Sequence, residues 1–114
     1  MMRHSVICDL WSVVVVPFPF SERPGTKRRP ALVLSKRLFN GSGHTILAMI
    51  TTRDHGTWPG DTDITDMVAS GLRQVCLLRL KLFTLDNRLI LKRIGILGEK
   101  DRKKAAANLH HHLG

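Results

Sequence analysis

The sequence contains no tyrosine, and Phe and Trp together bring the aromatic share to only 5%. A base-stacking platform for nucleic acid would have to come from Trp11, Trp58 or a phenylalanine, so phosphate contacts are favoured over stacking. Cys8 and Cys76 are too few and too far apart for a disulfide framework or a metal knuckle, and they read as buried thiols of a reducing compartment. No stretch approaches the roughly 20 apolar residues of a membrane-spanning helix. After Met1-Met2-Arg3-His4 the chain turns apolar, but Asp9 and Ser12 interrupt the run and no small-residue cleavage site follows. The expected location is therefore the cytoplasm, with no membrane contact. Acids are scarce as well: nine Asp plus Glu face eighteen Lys plus Arg, a net charge of +9. That excess points to a polyanion or an acidic protein segment as partner.

What is present is ordinary for a globular chain. Hydrophobic residues make up 43% and charged residues 24% of 114 positions, which argues against disorder and leads us to expect one domain over residues 1–114. Val13-Val14-Val15-Val16 suits a central strand buried on both faces. Pro17-Phe18-Pro19-Phe20 removes ladder donors and predicts its end, with Phe18 and Phe20 capping the core. Residues 21–26 read as a polar loop around Pro24-Gly25. A second strand is predicted at 31–35, an Asn40-Gly41 reversal after it, and a third at 44–50 running into Thr51-Thr52-Arg53-Asp54. Residues 55–63 read as a loop, 75–78, 89–91 and 94–97 as further strands, and Asp86-Asn87 as a turn. From Glu99 the spacing of Ala105, Leu109 and Leu113 predicts a helix with one apolar stripe, acids at its start and His110-His111-His112 at a frayed end. The class expected is mainly β: a small antiparallel barrel with a C-terminal helix.

Lys27-Arg28-Arg29-Pro30 stands where a loop meets the second strand, at a rim of the kind that carries chemistry. Pro30 is expected to open the strand and to hold Arg29 extended, leaving Lys27 and Arg28 loose. A guanidinium on a preset backbone meets a phosphate with a planar fork, where lysine offers a point charge. If strands two and three form a hairpin, the start of one and the end of the other share a sheet edge, and Arg29 and Thr51 become neighbours.

Val-Pro-Phe-Pro-Phe at 16–20, the Lys-Arg-Arg-Pro-Ala-Leu-Val-Leu-Ser run at 27–35, Ile-Leu-Ala-Met-Ile-Thr-Thr at 46–52, Pro-Gly-Asp at 59–61 and Lys-Leu-Phe-Thr-Leu-Asp at 81–86 occur in one order. Together these segments resemble the MazF/PemK family, across roughly residues 11–104. The resemblance implies an SH3-like barrel of the MazF/PemK/CcdB type, working as a homodimer. It further implies the toxin of a type II toxin-antitoxin pair: a cofactor-free, metal-independent endoribonuclease that cuts single-stranded mRNA at a short sequence and is held silent by an acidic antitoxin. The family's Arg-Pro arginine corresponds to Arg29 and its strand-end threonine to Thr51. Two positions depart from the pattern. The Gly-Asp that usually opens the first strand is Trp11-Ser12, and the acid some members carry before Arg-Pro has no equivalent at its spacing, Glu22 being the nearest.

Metal-free RNA cleavage uses the substrate's 2′-hydroxyl as nucleophile. The protein must place the phosphate, stabilise its non-bridging oxygens and manage two proton transfers. Arg29 suits the charge and, because it does not readily deprotonate, is a poor base; Thr51 can donate its hydroxyl to a phosphate oxygen. Lys27, Arg28, Thr52, Arg53 and Arg79 are candidate RNA contacts, with Arg73 and Lys81 in the same groove; the alternative for such cations is a solvated face. His55 is of the residue type most often used as a general base, although a lone loop histidine is ordinarily just exposed. Trp58 either stacks on a base or pins its loop. The rival readings are a CcdB-like gyrase poison acting on protein, and a decayed member that binds RNA or antitoxin without cutting.

Overall fold

The valine run lies inside a sheet and is covered on both sides. The structure, a computed structural model that describes residues 6–18 and 27–114, contains β1 (Ser12–Phe18), β2 (Lys27–Val33), α1 (Arg37–Asn40), β3 (His44–Thr51), β4 (Thr62–Ile64), α2 (Met67–Ser70), β5 (Cys76–Asp86), β6 (Lys92–Ile96) and α3 (Glu99–Leu113). The strands make one antiparallel sheet in the order β4-β5-β3-β2-β1-β6, curled into a half-barrel. Because side chains alternate across a strand, Val13 and Val14 feed different cores. Val13, Leu32, Ala48, Ile50, Leu78 and Leu97 pack together under Ala105 of α3. Val14, Val16, Ala31, Val33, Leu47 and Leu85 form the other core, closed by Cys8 and Ile90. The two cysteines are free and buried. Among the described residues no helix is long and apolar enough to cross a membrane.

Several local expectations are corrected. β1 runs through Pro17, which is buried and faces Arg28, to Phe18, which faces Lys27. Lys27 and Arg28 are therefore strand residues with exposed side chains rather than loose loop. Pro30 is the fourth residue of β2, not its first; the recorded pairing with β3 begins at Ala31, so the missing N–H falls where that ladder has run out. Asn40-Gly41 is the end of a helical turn. Gly41 has right-handed φ, and Asn40 is there for its side chain, whose amide donates to the Cys8 and Ser35 carbonyls at 2.8 and 2.9 Å. β5 continues to Asp86 where a strand ending at Leu78 was expected, because Arg79 and Lys81 break up its apolar pattern. Leu89 closes a 3₁₀ turn (Asn87–Leu89) instead of opening a strand. β4 lies in what reads as polar connection. His110–His112 continue the helix to Leu113 with no frayed end. Phe20, Glu22 and the Pro24-Gly25 turn lie outside the described residues.

Two close approaches shape the half-barrel. A Cβ at Gly95 in β6 would collide with the Ala69 and Ser70 carbonyls, and one at Gly71, whose φ is +74°, with the Ile94 carbonyl. Only glycine lets α2 lie this near β6. At the far edge, the buried carboxylate of Asp101 in α3 accepts from the Thr65 and Asp66 N–H groups at 2.8 and 2.9 Å and from the Thr65 hydroxyl at 2.7 Å, tying the helix to the end of β4. Burial pushes this carboxyl's pKa up, but the hydrogen bonds from Asp66 and Thr65 outweigh that and hold it below the usual value.

A carboxyl depressed on folding stabilises the protein above the unfolded pKa of about 4, and the contribution is lost as pH falls through the folded value. Asp101→Asn is expected to cost about 1–3 kcal/mol at neutral pH; in urea titrations the gap to wild type should narrow as the pH drops below about 4. Gly95→Ala should cost about 1–3 kcal/mol in the same assay through overpacking.

Candidate active site

The register pairs Leu32 with Ala48 and ends on Ala31 with Met49, and Arg29 and Thr51 each stand two residues beyond that last pair at the same edge of the sheet. Both share the face of Ala31 and Leu47, because the period of a strand is two. They line one cavity of about 250 Å³, together with Phe18, Pro30, Met49, Thr52, His55, Gln74, Cys76, Arg79 and Lys81. Arg29 is exposed, and among the described residues no acid pairs with it. Arg29 is thus a cation available to a ligand, beside a strand-end hydroxyl.

The wall formed by residues 53–61 is held from beneath. β5 leaves Leu80 and Lys81 unmatched where Ala48 pairs with Leu82 but Met49 with Arg79. An irregularity of this kind bends a strand and re-aims its side chains. Arg79, only 5% exposed, donates to both Asp61 oxygens at 3.2 and 3.0 Å and to the His55 and Gly56 carbonyls at 3.0 and 2.8 Å. The hydrogen bonds it donates to Asp61 raise its pKa and keep it charged. Asp61 also accepts from the Trp58 N–H at 2.9 Å, and the Lys81 ammonium lies 4.6 Å from the Trp58 ring centre. Trp58 is therefore pinned through its backbone, with one ring face occupied by a cation.

The predicted site residues fall into three groups. Arg29 and Thr51 come together, with Thr52 and His55 on the same wall. The Thr52 hydroxyl donates to the Asp54 carboxylate, which is held below its usual pKa by that bond. Lys27 and Arg28 lie farther out on β2 and do not line the cavity. Arg53 forms a surface ion pair with Asp63 at 2.7 Å. Arg79 reaches the cavity, but its donors are committed to the 55–61 loop, so its work is positioning. Asp61, not singled out as Arg79's partner beforehand, completes that clamp. An arginine inside the run Leu77-Leu78-Arg79-Leu80 was the available signal, since a charge in a buried strand needs a partner. Among the described residues no three His, Cys, Asp or Glu side chains converge as metal ligands would.

The fold is shared with solved structures. The chain superposes on MazF in a MazE-MazF complex from Deinococcus radiodurans with a TM-score of 0.71 at 24% identity, covering 96% of this chain and 98% of that one. It superposes on a mycobacterial endoribonuclease, solved with its cognate antitoxin, with a TM-score of 0.72 at 16% identity, covering 94% and 95%. MazF alone from D. radiodurans gives 0.70 at 23% identity, covering 96% and 98%. At these identities the likeness shows the fold. No curated protein matches by sequence. The model of one family, the PemK-like, MazF-like toxins of type II toxin-antitoxin systems, matches residues 10–113. With that match spanning nearly the whole chain and the Arg29–Thr51 cavity in place, the chain belongs to this toxin family.

Proposed function

We propose that the chain is a metal-independent endoribonuclease that cleaves single-stranded RNA. The observation carrying this reading is that Arg29 and Thr51, separate in the chain, come together at the sheet edge just beyond the β2–β3 ladder, on the wall of one open cavity. The substrate's 2′-oxygen attacks the adjacent phosphorus in line and loses its proton. The bond to the 5′-oxygen breaks and that oxygen takes up a proton, leaving a 2′,3′-cyclic phosphate and a 5′-hydroxyl. Arg29 binds the non-bridging oxygens, whose charge grows in the transition state, and Thr51 donates its hydroxyl to one of them. His55, on the same wall, is the side chain suited to carry a proton. The exposed Lys27 and Arg28 extend the basic surface along the strand for the neighbouring phosphates.

The mycobacterial structure, an endoribonuclease bound to its antitoxin, supports both the activity and a partner of that kind. The partner proposed here is an acidic antitoxin segment that covers Arg29 in the cytoplasm, and the active form is a homodimer. With +9 net charge, an acidic chain is the complementary ligand.

Purified protein incubated with a long RNA in excess EDTA is expected to cut at one short motif and leave 5′-hydroxyl ends. Arg29→Ala and Thr51→Ala should each lower the rate about a hundredfold or more while leaving thermal stability unchanged. Intact RNA after incubation with folded wild type would overturn the reading and turn attention to gyrase inhibition. His55→Gln should flatten the pH–rate profile if the imidazole moves a proton. Retention of the wild-type profile would remove His55 from the mechanism.

A further inference from the structure

A second basic recess lies toward the other end of β1. It has a volume of about 650 Å³ and is lined by the segment before β1, the start of α1, β6 and α3. Ser12 at the start of β1 lines it, whereas Arg29 faces Val16, four residues on or about 13 Å along the strand. The two cavities share no lining residue.

The charges on this wall are unbalanced. Lys36, Arg37, Arg93 and Arg102 stand against one carboxylate, Asp9. Asp9 is already engaged by the N–H groups of Leu10 at 2.7 Å and Arg37 at 3.1 Å, and no salt bridge joins it to the four cations among the described residues. Among the described residues Arg93 Nε donates only to a neutral group, the Ser12 hydroxyl at 3.3 Å. Arg102 Nε is buried without a hydrogen-bond partner among the described residues. No described residue therefore holds that edge of the Arg102 guanidinium, whose side chain lines the recess. The Cys8 thiol on the same wall is held protonated by burial against the pull of Arg93 and Arg37, and it adds no competing anion.

We propose that this recess is a phosphate-binding site, with Arg93 and Arg102 as its principal donors, separate from the cleavage site. A phosphoryl group carries more charge and more acceptor oxygens than a carboxylate, and guanidinium forks match it in geometry. The apolar part of the wall, Trp11 and Ile96 among it, gives room for the sugar or base attached to that phosphate. The phosphate belongs either to a free nucleotide or to an RNA backbone.

The test uses the full chain carrying Trp58→Phe, which leaves Trp11 as the only tryptophan and a reporter on the recess wall. Inorganic phosphate is titrated at fixed ionic strength, then AMP and a short single-stranded RNA without terminal phosphates. A saturable change in Trp11 emission with phosphate is expected. Its affinity should fall about tenfold or more in Arg93→Gln and in Arg102→Gln, and stay unchanged in Arg29→Ala, which separates this site from the cleavage reading. Displacement of phosphate by the RNA assigns an RNA backbone as the source; displacement by AMP but not by the RNA assigns a free nucleotide. Absence of a saturable response to phosphate or AMP, an affinity unchanged from that of the parent protein in both glutamine variants, or a response to polyglutamate alone would overturn the proposal. Arg93 is exposed on an edge strand, so Arg93→Gln keeps the test decisive if Arg102→Gln does not fold.

Discussion

The register between β2 and β3 is the constraint on which the site depends. A slip of one residue would turn Arg29 to the opposite face from Thr51 and reverse the core face at the same time. The register is held at the closed end of the hairpin, far from the cavity. There Asn40 bonds the Cys8 and Ser35 carbonyls, the Ser35 hydroxyl bonds the Asn40 side chain and accepts from the Ile46 N–H, and Asn87 bonds both the Asn40 carbonyl and the Thr45 hydroxyl. This buried network fixes where β3 starts relative to the end of β2. A buried polar network with its members satisfied specifies one arrangement against near alternatives.

The site itself divides charge between two tasks. Arg79 supplies a cation to the cavity wall but directs it inward to Asp61 and two carbonyls, and so gives shape to the loop that bears His55 and Trp58. Arg29 keeps its guanidinium for what arrives. Residues of one type, on strands of one sheet, thereby differ in role because one is buried with partners and the other is not.

The hairpin and its consequence were legible from the order of apolar and polar runs, as were the valine strand and the terminal helix, because each rests on local patterning. What stayed hidden depends on tertiary partners. β4 is three residues long and exists because β5 is beside it. β5 looked interrupted because Arg79 is buried only by virtue of Asp61, 18 residues earlier. Asn40 before Gly41 reads as a turn locally and becomes a core residue only once Cys8 and Asn87 come together around it. For the same reason the cations near the site could be counted from the sequence, but the engaged could not be told from the available.

The opening of β1 bears on how such a chain can vary. Trp11 has φ of 73°, a left-handed conformation for which glycine is best suited, at the position where the resembled pattern has glycine. Its N–H and C=O bond Val33 and Leu97 at 2.9 Å each, which obliges the backbone to keep that shape. Its ring packs against the core beneath α3. Exchange for glycine would relax the backbone and at the same moment vacate the space the indole fills, two effects of opposite sign at one residue. Position 11 thus sets backbone strain against side-chain packing, and the packing is the larger of the two, because emptying the space of a large aromatic costs more than relieving one left-handed residue; the turn held by its two backbone bonds stays the same.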